Sequence, residues 1–215
     1  MSFQLVRQVL SGARLTEAQA LLERGRWHDG RDTAGTDAAR VKQNLQLAPG
    51  SAEHVALSEL VKQTLGHSST FKQLALPRRV STPLFSRYDA GMEYGFHTDD
   101  AYQAREGVRT DLAVTLFLSD PASYDGGALQ VGDVEIKAAA GDLVLYPATS
   151  IHRVARVTRG QRLAAVFWIQ SLVRDERQRD VLSSLREALA LCQSPAQALL
   201  MARVQQNLLR LWLEP

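Results

Sequence analysis

A single cysteine, Cys192, in 215 residues rules out an internal disulfide and points to a reducing compartment. Its setting in an apolar helical stretch predicts a buried structural thiol. No run of 18 apolar residues occurs, so no membrane-spanning helix is expected. The start, Met1-Ser-Phe-Gln-Leu-Val-Arg7, lacks the basic-then-apolar order of a secretory signal, and the expected location is the cytoplasm. Charge of one sign is missing too. With 25 Lys and Arg against 23 Asp and Glu, the net charge is +2, and no basic run is interleaved with aromatics. That argues against a nucleic-acid partner and reads as solvated faces. Internal repeats and low-complexity segments are absent. What is present, 45% hydrophobic residues in 215, is enough to bury the core of one catalytic unit with appendages.

The hydrophobic period changes twice along the chain. Apolar residues recur at three and four over Thr16–Arg24 and Ser51–Leu65, with Ser51 as an N-cap and Gly66 as a stop. These predict helices buttressing a sheet, with Asn44–Pro49 as a short alternating strand between them. From about Phe71 to Gln170 the pattern is of short strands punctuated by Gly, Pro and Asp: Leu112–Leu118, Ala128–Val131, Val134–Ile136, Leu143–Tyr146, Ile151–Val157 and Leu163–Ile169. Many short strands with regular turns predict a jelly-roll or barrel rather than βαβ units. After Asp175 the helical period returns, first with Leu182, Leu185 and Leu189. Ser194-Pro195 then starts a second helix carrying Leu199, Leu200, Val204, Leu208 and Leu211. The chain therefore divides into a scaffold over 1–75, a core over 76–173 and a helical extension over 174–215. The extension suits a homodimer or substrate-docking element, but amphipathicity alone favours packing on its own barrel.

His97-Thr98-Asp99, then His152 and Arg162, carry the chemistry. Side chains two apart on an extended segment share a face, so His97 and Asp99 can grip one metal from a strand end. A second imidazole from a distant strand, His152, completes the two-His-one-carboxylate triad of non-haem Fe(II) enzymes. The open positions of such a site suit a chelating 2-oxo acid and O2. The far carboxylate of 2-oxoglutarate needs a buried cation, and Arg162, which opens an apolar strand, is the candidate fork. Arg153, Arg156 and Arg159 flank the nearby turn and read as solvated. His28, His54 and His67 read as structural or solvated, and Asp100 points away from the metal. Tyr88 is a candidate donor to a 2-oxoglutarate carboxylate, and Tyr94 and Trp168 are candidates for the substrate pocket. Gly126-Gly127 reads as a turn.

Beyond these residues, the stretches Gly25-Arg-Trp-His-Asp-Gly30, Thr33-Ala-Gly35, Arg87-Tyr88, Gly91-Met-Glu-Tyr-Gly-Phe-His97, Tyr124-Asp-Gly-Gly127 and Gly141-Asp-Leu-Val-Leu-Tyr-Pro147 carry a resemblance. The chain resembles, almost end to end, the bacterial PKHD-type Fe(II)/2-oxoglutarate hydroxylases of the prolyl 4-hydroxylase-like branch. The resemblance implies a double-stranded β-helix (jelly-roll) core, which with the helices read above makes an α+β fold with N-terminal buttressing helices and a C-terminal helical extension. It also implies Fe(2+), 2-oxoglutarate and O2, with L-ascorbate as an accessory reductant, and an association with iron uptake. The substrate is left open between a peptidyl residue and a small molecule, with the loops Asp99–Arg109 and Ser119–Gly127 as the places for specificity. Two alternatives use the same barrel. A nucleic-acid demethylase would place its arginines farther beyond the second histidine, and a cupin-like isomerase or sensor would need no buried cation at Arg162.

Overall fold

The computed structural model describes residues 3–33 and 35–214. Its centre is set by period-two alternation in eight core strands: β1 Leu84–Asp89, β2 Glu93–His97, β3 Leu112–Phe117, β4 Leu129–Val131, β5 Val134–Ile136, β6 Leu143–Pro147, β7 His152–Val154 and β8 Gln161–Ser171. In β8, Leu163, Ala165, Phe167 and Ile169 face a large apolar core, while Arg162, Val166 and Trp168 face a cleft. β1 repeats the device, with Phe85 in the core and Leu84, Ser86 and Tyr88 on the cleft. One register therefore sorts packing residues from chemical ones.

The strands form two antiparallel sheets. The larger runs β6-β3-β8-β1, extended by Gln4–Val6 beside β6 and by Leu45–Leu47 and then Trp27–Asp29 beyond β1. Pro77–Val80 also pairs with the end of β8. The smaller runs β5-β4-β7-β2 and ends on Lys42–Gln43. The chain winds between the sheets, which makes the core a double-stranded β-helix. Its site opens between them.

Helices α1 Gly12–Arg24, α3 Ala52–His67 and α4 Ser69–Ala75 cover the outer face of the larger sheet, with α2 Thr36–Arg40 leading into the cleft wall. Ala18 and Leu22 of α1, Leu57 and Val61 of α3, and Phe71 of α4 are buried against Phe85, Val114 and Phe167. Each large apolar side chain so buried contributes roughly 1.5–3 kcal/mol. Ser51 caps α3 as expected, its hydroxyl accepting from the His54 amide at 3.2 Å.

Gly66 does not stop α3. The helix runs on to His67, and Ser68 at once caps α4 by accepting from the Phe71 amide at 3.2 Å. At seven residues, α4 is too short to announce itself by periodicity. The strand expected over Ile151–Val157 is two pieces, β7 and Val157–Arg159, and the latter pairs with Asp125–Gly126.

The C-terminal helices, α5 Glu176–Leu191 and α6 Pro195–Trp212, start at the expected caps Asp175 and Ser194. Their packing differs from expectation. α5 buries Arg179 and Leu182, but α6 packs chiefly on α5 and has no buried residue among those described. Its stripe stays open, with Leu199 72% and Leu211 76% exposed. Cys192 is likewise only half-buried, because it follows the last turn of α5 instead of sitting inside the helix. No helix among the described residues is long and apolar enough to cross a membrane.

Candidate active site

The structure brings His97, Asp99 and His152 together, with one ligand atom from each lying within 4.8 Å of the others. His97 ends β2, Asp99 lies just beyond it, and His152 opens β7 opposite His97. Both imidazoles are aimed by the same local device. Nδ1 of His97 donates to the Gly95 carbonyl at 2.8 Å, and Nδ1 of His152 donates to the Ser150 carbonyl at 3.0 Å. A carbonyl can only accept, so each ring carries its proton on Nδ1 and turns a lone pair on Nε2 toward the cleft. Nε2 of His152 lies 3.8 Å from Oδ1 of Asp99, a span two ligands can bridge when each sits ~2.1 Å from one ion.

Burial sets the protonation states. It holds the His97 pKa down to about 4, helped by the neighbouring His152, so the ring is neutral and free to ligate. Burial also raises the Asp99 carboxyl, against the pull of His152 and of the nearby Trp168 indole, and leaves its Oδ2 without a hydrogen-bond partner. A sealed carboxylate with a free oxygen calls for a cation.

Arg162 supplies the second orphan. It is 1% exposed, and none of its three side-chain nitrogens has a hydrogen-bond partner. Its guanidinium carbon lies 5.3 Å from the centre of the Tyr88 ring and 5.4 Å from that of Phe117, so the flat cation is held by ring faces. Gly127, at φ +63°, makes room for it: a Cβ there would sit 3.0 Å from the Tyr124 ring and 3.2 Å from Arg162 Cδ. The Gly126-Gly127 turn is thus also a close approach. Arg162 is the second residue of β8 rather than its opening one. Arg156 and Arg159 are exposed and paired with Glu93 and Asp125.

The remaining candidates fall around this axis. Tyr88 is buried in the cleft wall, and burial raises its pKa, so the phenol keeps its proton to donate. Tyr94 stacks on His97 with ring centres 3.7 Å apart and planes 14° from parallel. Strict alternation would put the two on opposite faces, but the β2–β7 pairing shifts register between them, and that irregularity brings both to the cleft. Trp168 lies beside Asp99, and Asp100 stays at the exposed mouth, outside the triad. His54 is buried on the Pro83 carbonyl and His67 is exposed on α3, both away from the cleft.

Sequence reasoning missed Lys42, Asn44, Gln46 and Tyr146, all lining the cleft. Tyr146 meets His152 edge to face at 5.1 Å. The signal for the first three was a polar residue at every second position of an extended segment, facing inward. The cleft holds about 720 Å³ of empty space, counting its open mouth.

Residues 83–170, which span β1 to β8, match the 2OG-Fe(II) oxygenase superfamily. Over nearly its whole length the chain is similar to a PKHD-type hydroxylase of Methylobacterium nodulans, 43% identical over 222 residues, covering 97% of this chain and 98% of that one. Two solved structures share the fold. One is a prolyl hydroxylase of Trichoplax adhaerens in complex with a hypoxia-inducible-factor peptide, with a TM-score of 0.55 at 17% identity, covering 83% of this chain and 86% of that one. The other is a 2-oxoglutarate-dependent carbocyclase from nogalamycin biosynthesis, with a TM-score of 0.58 at 16% identity, covering 80% of each. The chain belongs to the PKHD-type hydroxylases of the 2OG-Fe(II) oxygenase superfamily, and is a dioxygenase that uses Fe(2+), 2-oxoglutarate and O2.

Proposed function

We propose that His97, Asp99 and His152 hold the iron and that Arg162, with Tyr88, holds the far carboxylate of 2-oxoglutarate. On this reading the enzyme hydroxylates a C–H bond of a peptidyl or small-molecule substrate. 2-Oxoglutarate and O2 are consumed, one oxygen atom enters the substrate, and succinate carries the other as carbon dioxide leaves. The observation that carries the reading is Arg162: a cation sealed to 1% exposure with three unpartnered nitrogens, on the same cleft as a carboxylate with an unpartnered oxygen. A cupin-like isomerase or sensor has no use for such a fork, which matches a carboxylate in two parallel hydrogen bonds.

When bound, the iron supplies the electron transfer that lets O2 react with the oxo acid. The chain does the rest by position. The Gly95 and Ser150 carbonyls fix the imidazole tautomers, and Tyr94 and Tyr146 hold the two rings by stacking and edge contact. Phe117, Tyr88 and Tyr124 keep water from the Arg162 end, so its attraction for a carboxylate acts in a low dielectric. Substrate enters past Tyr94 and Trp168. Ascorbate serves as an accessory reductant for iron oxidised without product.

The exposed stripe of α6 extends the proposal to a homodimer, with Leu199, Leu200, Val204 and Leu211 covered by a second copy. Leu200→Glu with Val204→Glu should return a dimer to monomer in sedimentation, and a wild-type monomer at micromolar concentration would rule the dimer out.

The Fe(II)-loaded protein given 2-oxoglutarate and O2 should release succinate, and Asp99→Ala should not. Protein that binds iron but leaves 2-oxoglutarate intact would contradict the proposal.

A further inference from the structure

The segment Lys42–Leu47 crosses between the sheets. Lys42 and Gln43 pair with Tyr94 and Glu93 of β2, whereas Leu45 and Gln46 pair with Arg87 and Ser86 of β1. Its alternation is inverted relative to an ordinary edge. Lys42, Asn44 and Gln46 face inward at 5%, 4% and 2% exposure, whereas Val41 and Gln43 are exposed. Burying polar groups is costly unless they have partners, so three in a row need a reason.

Those three are partly satisfied by the chain. The Lys42 ammonium donates to the Thr33 hydroxyl at 3.0 Å, and that hydroxyl donates to Oε1 of Gln46 at 2.6 Å. An ammonium has three donors, and one is used. Its charge also rests 5.3 Å from the centre of the Tyr94 ring, which itself stacks on His97. Among the described residues no carboxylate forms an ion pair with it. The side-chain amide of Asn44, two residues along the same face, has the Tyr88 phenol beside it but makes no hydrogen bond of good geometry. The wall is built to hold that amide in place. Backbone passes so close at Gly30 that a Cβ would lie 1.8 Å from Asn44 Oδ1, and the Gly30 amide donates to the Asn44 carbonyl at 2.9 Å.

Charge balance decides what the wall lacks. With the site loaded, the charges of Fe(2+) and Arg162 are matched by Asp99 and the two carboxylates of 2-oxoglutarate. Lys42 is left as a buried charge with no ion-pair partner of its own, because Asp29, whose charge reaches it, is paired with Arg31 and Asp99 belongs to the metal cluster. Desolvation lowers its pKa to about 8, which still leaves it mostly protonated at neutral pH. Asp100 lines the same cleft but is exposed at its mouth.

We infer that Lys42, with Asn44 beside it, is a recognition site for a carboxylate carried by the substrate, an inference that rests on the oxygenase function proposed above. The ammonium takes the carboxylate through its two free donors, and the Asn44 amide takes a neighbouring polar group. The substrate class is therefore an acid, presented with its carboxylate toward the Lys42 wall and its C–H bond toward His97 and Asp99.

The test uses the anaerobic protein loaded with Fe(II) and 2-oxoglutarate, and two probes that differ in one group, N-acetylglycine and its neutral amide. Formation of the visible band of a metal-chelated oxo acid is checked first, and its absence in the wild type would remove the oxygenase reading and this inference with it. Calorimetry should then show the wild type binding the acid at least about tenfold tighter than the amide, the scale of one charge-assisted bond. Lys42→Met should lose the preference while still forming the band, and Lys42→Arg should keep it. A wild type that forms the band but shows no preference for the acid, or a Lys42→Met protein that keeps it, overturns the assignment.

Discussion

Arg162 and Arg179 are both nearly sealed from water, at 1% and 4% exposure, yet they answer that burial in opposite ways. Arg179, in the first turns of α5, donates through Nη1 to the carbonyls of Val173 at 2.8 Å and Arg174 at 2.7 Å. Among its nitrogens only Nε is both fully buried and without a hydrogen-bond partner. It ties the C-terminal helices to the end of β8. Arg162 meets ring faces, with the Tyr124 phenol nearby, and makes no hydrogen bond of good geometry. Burial alone thus does not mark a functional residue. A buried charge whose donors are left over does, because folding gains nothing from sealing it.

The largest effect should come from the functional member of the pair. Arg162→Ala should weaken 2-oxoglutarate binding by about 2–5 kcal/mol, roughly thirtyfold to several thousandfold, with iron still bound. Equal loss of iron would blur the distinction. Arg179→Ala should instead lower stability in urea by about 1–3 kcal/mol and leave 2-oxoglutarate binding alone, because it strips partners from backbone carbonyls.

Lys42 lies between the two arginines, with one of its donors used and the others left over. Its folded pKa of about 8 lies below the ordinary lysine value of 10.5, so between those pH values the unfolded chain holds more protons and stability rises with pH. The ligand-free Lys42→Met protein, which cannot titrate there, should be more stable than wild type below about pH 8 by on the order of 1–2 kcal/mol. That lead should vanish by about pH 10.5. A lead independent of pH would mean that charge is not its source.

His97 gives a parallel case at acid pH. Its folded pKa of about 4 lies below the ordinary 6.5, so its contribution to stability is complete above pH 6.5 and is lost as pH falls toward 4. His97→Gln should show a shallower loss of stability across that window in acid titrations of the ligand-free protein.

The convergence of His97, Asp99, His152 and Arg162 on one cleft was legible in the sequence because these residues lie at strand ends with the spacing that a shared site needs. The core strands were legible because β8 and β1 alternate strictly. Three things were not. The stacking of Tyr94 on His97 depends on a register irregularity between β2 and β7, which period-two reasoning cannot foresee. α4 and the run of α3 through Gly66 are fixed by packing of Phe71 and Leu65 in the core, which overrides local stop signals. The openness of α6 reflects which elements reach it, a tertiary fact that an apolar stripe does not encode. Lys42 and Asn44 were visible as an alternating polar segment, but their inward facing appears only once β1 and β2 are seen to flank it.

The guanidinium of Arg162 is proposed to take the far carboxylate of 2-oxoglutarate beside the iron. That assignment is tested most directly by titrating 2-oxoglutarate into the anaerobic Fe(II)-loaded wild type, Arg162→Ala and Arg179→Ala proteins and following the weak visible charge-transfer band. A band is expected at similar concentrations in wild type and Arg179→Ala, and at far higher concentration, or not at all, in Arg162→Ala. A band that appears at the same concentration in all three proteins, or in none of them, would contradict it.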